Sequence, residues 1–291
     1  MLLAATAASA QGAGAGEIRI QDDLGHEIVL QKPARRIIAL YGAYNEILAA
    51  MGLEDRLVAR TKADERPPSI RSKPSIGTHM RPNVELVLSL EPDLILQNAG
   101  RREATAVVEQ LRKHGQRVAV FRPHRFIELF DVIERIGRLT GEPHAAGKLI
   151  HRLGRRLQAV EKQLAGVSHR PRVFFEVRYP NLLGAGRGSI VNDVIERAGG
   201  VNCLDSPKKL LRISMESLIQ SAPEAYVLQK GPMNPEPSSP ASRGSHFWVL
   251  EAVKRGCVLT VDEQVYSRPG PRSVTAVEQL AAFLHPKRFS R

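Results

Sequence analysis

Asn83-Val-Glu85-Leu-Val-Leu-Ser-Leu-Glu-Pro92-Asp93-Leu-Ile-Leu96 and Ser214-Met-Glu216-Ser-Leu-Ile-Gln-Ser-Ala-Pro223-Glu224-Ala-Tyr-Val-Leu228 are two copies of one pattern. In each, Asn or Ser stands where it can cap a short helix, and a Glu follows two residues later in the first turn, where it complements the helix dipole. Seven residues beyond that Glu, a proline stops the helix, and an acid and an apolar strand follow. The same 131 residues separate Glu85 from Glu216 and Pro92 from Pro223. Capping alone accounts for either copy. Their matched placement predicts two lobes built to one plan.

Around both copies the chain alternates strands and helices. Glu17–Ile20 and Glu27–Leu30 flank Asp22-Asp-Leu-Gly25 and predict a hairpin. Arg36–Tyr41 is an apolar strand, Ala43–Met51 a helix and Leu57–Arg60 a second strand. Asp93–Gln97, Arg102–His114, Arg117–Phe121 and Phe126–Leu139 continue as strand, helix, strand, helix. Past Gly141-Glu-Pro143, the apolar residues Ala146, Leu149, Ile150, Leu153, Leu157, Val160 and Leu164 recur at spacings of three and four, which predicts one long helix. The alternation then resumes: strand Arg172–Val177, a helix from Ser189 to Ala198, the second copy with strand Ala225–Gln229, a short helix at His246–Val253, strand Cys257–Val261 and a last helix Pro271–Leu284. A proline-rich loop, 231–244, is expected to be the least ordered part. The reading is α/β: two doubly wound β/α lobes joined by a single long helix. Residues 1–16 form a signal peptide and flexible start, 17–141 an N-terminal lobe, 142–166 the connecting helix and 167–291 a C-terminal lobe.

With 291 residues the chain is long enough for two domains. The net charge is +12 and the sequence pI about 10.1. Such a balance raises nucleic acid as a partner, but the basic residues come as scattered pairs such as Arg35-Arg36, Arg155-Arg156 and Lys208-Lys209 rather than blocks. Aromatics make up only 5% of the chain, too few to interleave as a stacking platform. No nucleic-acid partner is expected. The opening Met-Leu-Leu-Ala-Ala-Thr-Ala-Ala-Ser-Ala ends in the small-x-small pattern of a signal-peptidase site, and Gln11 follows it, so the expectation is a secreted, soluble, monomeric periplasmic protein without a lipid anchor. Cys203 and Cys257 read as two free, packed thiols, with a disulfide between them left open. No closed zinc site and no cofactor are expected.

In open α/β sheets, ligands bind beyond the carboxyl ends of the strands, so two facing lobes would share one cleft. The loops that qualify carry Tyr41, Tyr44, Lys62, His79, Arg81, Arg178, Tyr179 and Arg268, together with His124. Aromatic and cationic groups in one cleft suit a large, flat, partly anionic ligand: rings stack on its faces and arginine forks pair with its oxygens. Trp248 is expected to pack within the second lobe.

In its ordered segments the chain resembles the solute-binding proteins of ABC importers for cobalamin, ferric siderophores and haem. The segments are Ile18–Val29, Pro33–Ala39, Glu85 with Pro92-Asp93, Gly188–Asn202, Ile213–Glu216, and Gly270-Pro-Arg272 with Glu278 and Leu284-His-Pro286. The resemblance implies that Glu85 and Glu216 sit on the lobe tops and pair with arginines of a transmembrane permease. It also implies that one long helix joins the lobes and limits their closure. His79, six residues before Glu85, falls where the family's cobalamin binder has a ligand-stacking tryptophan, but Leu210 stands at the matching place before Glu216. The expected ligand is therefore a metal chelate, a ferric siderophore ahead of haem or cobalamin, and whether any side chain coordinates its metal stays open. The chain is not expected to be an enzyme. The alternative is a metal chelatase-like enzyme acting on a tetrapyrrole, since such enzymes share the bilobal architecture.

Overall fold

The computed structural model describes residues 16–99 and 102–289; the expected signal peptide lies outside the described residues. In chain order the strands and α-helices are β1 (Ile18–Gln21), β2 (Glu27–Leu30), β3 (Ile37–Ala39), α1 (Gly42–Ala50), α2 (Val84–Ser89), β4 (Leu94–Asn98), α3 (Arg102–Lys113), β5 (Val118–Phe121), α4 (Phe126–Thr140) and α5 (Pro143–Gln163). There follow β6 (Arg172–Arg178), β7 (Leu183–Ala185), α6 (Ile190–Arg197), β8 (Val201–Asn202), β9 (Leu210–Arg212), α7 (Met215–Gln220), β10 (Ala225–Lys230), α8 (Glu251–Lys254), β11 (Val258–Asp262), α9 (Glu263–Tyr266), α10 (Ser273–Leu284) and α11 (Pro286–Phe289).

The first lobe is built on a parallel sheet in the order β3-β4-β5 beside the antiparallel hairpin β1-β2. Its strands are apolar on both faces because both are covered. Ile37, Ala39, Leu94, Leu96, Ala119 and Phe121 join a core with residues of α1, α4 and α5. The alternate residues Ile38, Ile95, Val118 and Val120 join a second core with Val87 of α2 and Val108 and Leu111 of α3. The second lobe repeats the division around the sheet order β11-β10-β6-β7-β9, with β8 alongside β6. Val173, Phe175 and Val227 face α6 and α10, while Phe174, Tyr226 and Leu228 face Leu218 of α7 and Phe247.

The segment 57–60 is not a strand of either sheet. Its N-terminal end bonds to β3 through Val58 N–H to the Ile37 carbonyl, but from Arg60 onward it turns to the 74–77 loop, so no ladder with one partner develops. The expected helix at 246–253 is split at Leu250 into a tight turn and α8, and Glu263–Tyr266 is helical rather than loop. Phe247 is buried, but Trp248, expected to pack within the second lobe, is half exposed, with its indole N–H donating to the Ala241 carbonyl. Cys203 and Cys257 are free thiols.

Helix α5 runs for 21 residues, about 31 Å at 1.5 Å per residue. Ala146, Leu149, Leu153, Leu157 and Val160 form its buried stripe. It packs on α4 of the first lobe and α10 of the second, where Arg156 holds Glu278 in a two-pronged ion pair at 2.6 and 2.8 Å. The lobes also touch directly. No side chain of its own caps α4; the Asp193 carboxylate of α6 accepts the Phe126 N–H at 2.6 Å, so the second lobe supplies the cap.

The two copies of the opening pattern fold alike in detail. Asn83 Oδ1 accepts from the Leu86 N–H and Ser214 Oγ from the Ser217 N–H. Both short helices end in a non-glycine residue with left-handed backbone, Glu91 (φ 45°) and Ala222 (φ 44°), each directly before the proline. The acid after the proline clamps the chain entering its lobe: Asp93 accepts the Arg35 and Arg36 N–H groups, and Glu224 accepts the Arg172 N–H. The guanidinium of Arg36 caps the Leu90 and Glu91 carbonyls, as Arg172 caps that of Ser221. Left-handed geometry costs a residue with a Cβ roughly 1 kcal/mol. Ala222→Gly is therefore expected to raise the unfolding free energy by about 0.5–1 kcal/mol in a urea titration, and a loss of stability would contradict the account.

Candidate ligand-binding cleft

Residues from the strand ends of both lobes approach one another around Tyr41. From the first lobe, β3 runs into Tyr41, and the turn closed by the Arg81 N–H on the Thr78 carbonyl presents His79, fixed by a 2.8 Å bond from Gln97 Nε2 to its own carbonyl. The rings of Tyr41 and His79 meet edge to face with centroids 6.2 Å apart. From the second lobe, Arg268 in the loop before α10 reaches across, its guanidinium carbon 5.8 Å from the centre of the Tyr41 ring. Tyr41, His79 and Arg268 are thus brought together. Burial is the main influence on the Tyr41 hydroxyl, pushing its pKa up to about 12 against the opposing pull of Arg268. Tyr41 therefore offers a neutral donor at physiological pH.

Arg268 is held by Asp64, an acid in the loop that also carries Lys62. Asp64 accepts from Thr61 N–H and Oγ1 and from Asn45 Nδ2, and its carboxylate lies 3.7 Å from Arg268 Nη1. Its pKa is raised, chiefly by burial and against the pull of Thr61 and Arg268. A Cβ at Gly42 would collide with both Asp64 Oδ1 and Arg268 Nη1, so only glycine leaves room for them to meet. Beside this pair, Arg272 forks onto Glu46 of α1 with bonds of 2.6 and 2.7 Å. A bidentate pair of this kind has fixed geometry. The two pairs clasp one lobe to the other.

Glu263, at the carboxyl end of β11, is a further acid at the strand ends, 7% exposed and accepting the Met233 N–H at 2.7 Å. Burial holds its pKa above the ordinary carboxylate value. Its position one residue past a strand end was the available signal; Glu46 and Arg272 gave none, because their partners are 226 residues apart.

Other candidates fall elsewhere. Tyr44 is fully buried, packed edge to face on Phe121 with its hydroxyl donating to the Phe121 carbonyl; its place on the inner face of α1 turns it into the core. Tyr179 is half buried on the second lobe, in edge contact with Phe247 and under the guanidinium of Arg243 at 3.9 Å. Arg178 stands beside it, near Asn181. Lys62 and Arg81 are exposed. His124 pairs with Glu128 at 2.9 Å, although no acid adjoins it in sequence. Glu85 and Glu216 are exposed in the first turns of α2 and α7. The Glu216 carboxyl is held below its ordinary pKa first by a hydrogen bond with Ser214.

A family model described as "Periplasmic binding protein" matches residues 37–280. The chain belongs to this family. This periplasmic binding protein is 27% identical over 277 residues to an uncharacterised ABC transporter substrate-binding lipoprotein of Bacillus subtilis (strain 168), covering 94% of this chain and 87% of that one. Among solved structures it resembles the periplasmic vitamin B12 binding protein of Vibrio cholerae, with a TM-score of 0.74 and 28% identity over 89% of this chain and 99% of that one. A possible iron-binding, periplasmic solute-binding protein of Staphylococcus epidermidis ATCC 12228 gives a TM-score of 0.75 and 26% identity, covering 87% and 100% of the two chains. The bilobal α/β architecture of the binding protein agrees with these structures.

Proposed function

We propose that the protein captures a metal chelate outside the cytoplasm and hands it to the transmembrane permease of an ABC importer, acting by binding and release without catalysis. The observation that carries this reading is the meeting of Tyr41 and His79 from one lobe with Arg268 from the other. A phenol, an imidazole and a forked cation gathered from the two lobes suit a conjugated, anionic ligand better than a small neutral one. A ferric siderophore ranks first, because carboxylate- or catecholate-type oxygens would engage the guanidinium; haem and cobalamin follow. We place the lobes at 17–141 and 167–291, with 142–166 between them, and read the working species as a monomer.

A chelatase would need acids and histidines gathered to hold a metal. Among the described residues no group of three or more His, Cys, Asp or Glu side chains converges in that way. The deciding measurement is the absorbance spectrum and mass of whatever co-purifies, followed by titration with ferric siderophores, haemin and cobalamin. His79→Ala should weaken binding of the preferred chelate about tenfold, the value of one aromatic contact near 1.4 kcal/mol. An unchanged titration would remove His79 from the site, and no binding of any chelate would overturn the reading.

A further inference from the structure

We infer that Glu263 is a specificity-determining residue of the cleft, an acceptor for a hydrogen-bond donor, an N–H or O–H group, on the edge of the bound ligand. The residue directly follows β11, at the carboxyl end of the strand, where ligands of open α/β sheets bind. A buried side chain keeps its charge only where something compensates it. Among the described residues, every other buried charged side chain has an ion-pair partner at 2.6–3.7 Å: Asp22 with Arg112, Arg56 with Glu142, Asp64 with Arg268, Glu176 with Arg243 and Asp193 with Arg197. Glu263 is buried and has none.

The fold uses only half of this carboxylate. Oε2 accepts the Met233 N–H at 2.7 Å, and a Cβ at Gly231 would fall 2.8 Å from it, so glycine there leaves the space it fills. Oε1 accepts no hydrogen bond among the described residues, yet it is not sealed from solvent. A glutamine would hold the Met233 N–H equally well, so anchoring that loop does not account for an acid. Burial disfavours the Glu263 charge, while the Met233 N–H and Arg268 favour it. After burial and Arg268, that charge is the next influence on the Tyr41 hydroxyl, so its field reaches the first lobe. The Ser267 N–H donates to the Glu263 carbonyl at 2.9 Å, and one turn therefore presents both Glu263 and Arg268.

A ligand that covers Oε1 strips its water. Unless the ligand brings a donor to the same place, a charged acceptor is left unsatisfied, which costs more than leaving a neutral one. A carboxylate brought there adds repulsion between like charges. The acid thus discriminates chiefly by what it rejects. Asp64 already matches the Arg268 charge, so Glu263 leaves this corner of the cleft with one negative charge in excess. A carboxamide edge offers its N–H to Glu263 and its carbonyl to Arg268, whereas a carboxylate edge serves Arg268 alone. The inference rests on the proposed capture of a chelate and specifies the edge that the preferred chelate carries.

The test is calorimetric titration of the full chain with matched pairs of chelates that differ only at the edge. The pairs are haemin and its bis-amide, cyanocobalamin and the acid in which its propionamides are carboxylates, and a ferric tris-hydroxamate with amide or carboxylate arms. Wild type should bind the amide member of whichever pair it accepts at least about tenfold more tightly. Glu263→Gln should cut that preference to less than about threefold, weakening the amide form and strengthening the carboxylate form. Urea denaturation should show its fold intact, because glutamine still accepts the Met233 N–H. Asp262→Asn removes the same charge one residue away at an exposed site and keeps the Oδ1 bond to the Gln264 N–H, so it should leave the preference within about twofold. No preference in wild type, a preference for the carboxylate member as a protonated Glu263 would give, or equal losses in the two variants would overturn the inference. The wild-type comparison decides without any variant. Binding of no member of any pair would overturn the proposed function and this inference with it, which tells the two failures apart.

Discussion

Replacing Arg243 with methionine is expected to lower the unfolding free energy by about 3–5 kcal/mol, the cost of leaving one partner of a buried ion pair alone. Arg243 arrives from the proline-rich 231–244 loop, yet its side chain is only 1% exposed and that of Glu176 on β6 is 0% exposed. Two guanidinium nitrogens reach the two Glu176 oxygens at 2.6 and 2.9 Å, and the Tyr226 hydroxyl donates to the same carboxylate at 2.5 Å. The guanidinium also stacks on Tyr179 and Phe247. Methionine keeps the volume and removes the charge, so Glu176 would have to stay ionised in an apolar setting or take up a proton. Urea denaturation reads the loss. The double variant Arg243→Met with Glu176→Leu should recover most of it, because removing both charges also removes the desolvation cost. A single-variant loss below about 1 kcal/mol would show that the loop is anchored by something else.

That pair also marks where the sequence stopped being informative. Proline density in 231–244 argues for irregular backbone, and the backbone is irregular, but one buried arginine fixes the loop and nothing local announces it. The strand and helix alternation was legible because period-two and period-3.6 patterns are carried by neighbours in sequence. Tyr44 was misplaced for a related reason: in Tyr41-Gly-Ala-Tyr44 the first ring ends a strand and the second lies one helical turn inward, and which of the two faces the gap depends on how α1 packs. Glu46 and Arg272, or Asp64 and Arg268, were each visible as charged residues, but their pairing is a product of how two lobes are set against each other. The duplicated cap, acid and proline were legible as a pair because both copies satisfy the same local chemistry.

Reversing the charge of both Glu85 and Glu216 to lysine is expected to reduce chelate uptake at least 100-fold while leaving the affinity of the free protein for its chelate within about twofold. The proposed permease contact carries this expectation. Each carboxylate stands exposed in the first turn of a capped six-residue helix, one on each lobe. Hydrogen bonding by Ser214 favours the ionised form of Glu216. Neither acid shares a described ion pair with another side chain, so each is available to an arginine from outside. Removing one charge from a hydrogen-bonded interfacial pair costs about 2–5 kcal/mol, and reversal adds repulsion, so even partial additivity across two sites exceeds the 2.8 kcal/mol that a 100-fold loss requires. Because the N-caps are Asn83 and Ser214 rather than the glutamates, each helix keeps its cap, and only the smaller dipole contribution of roughly 0.3–1 kcal/mol is lost. Uptake measured in cells or in reconstituted vesicles, beside a titration of the purified protein, separates docking from capture. A parallel fall in affinity would place the two acids in the ligand site, and undiminished uptake would leave the permease contact to some other surface.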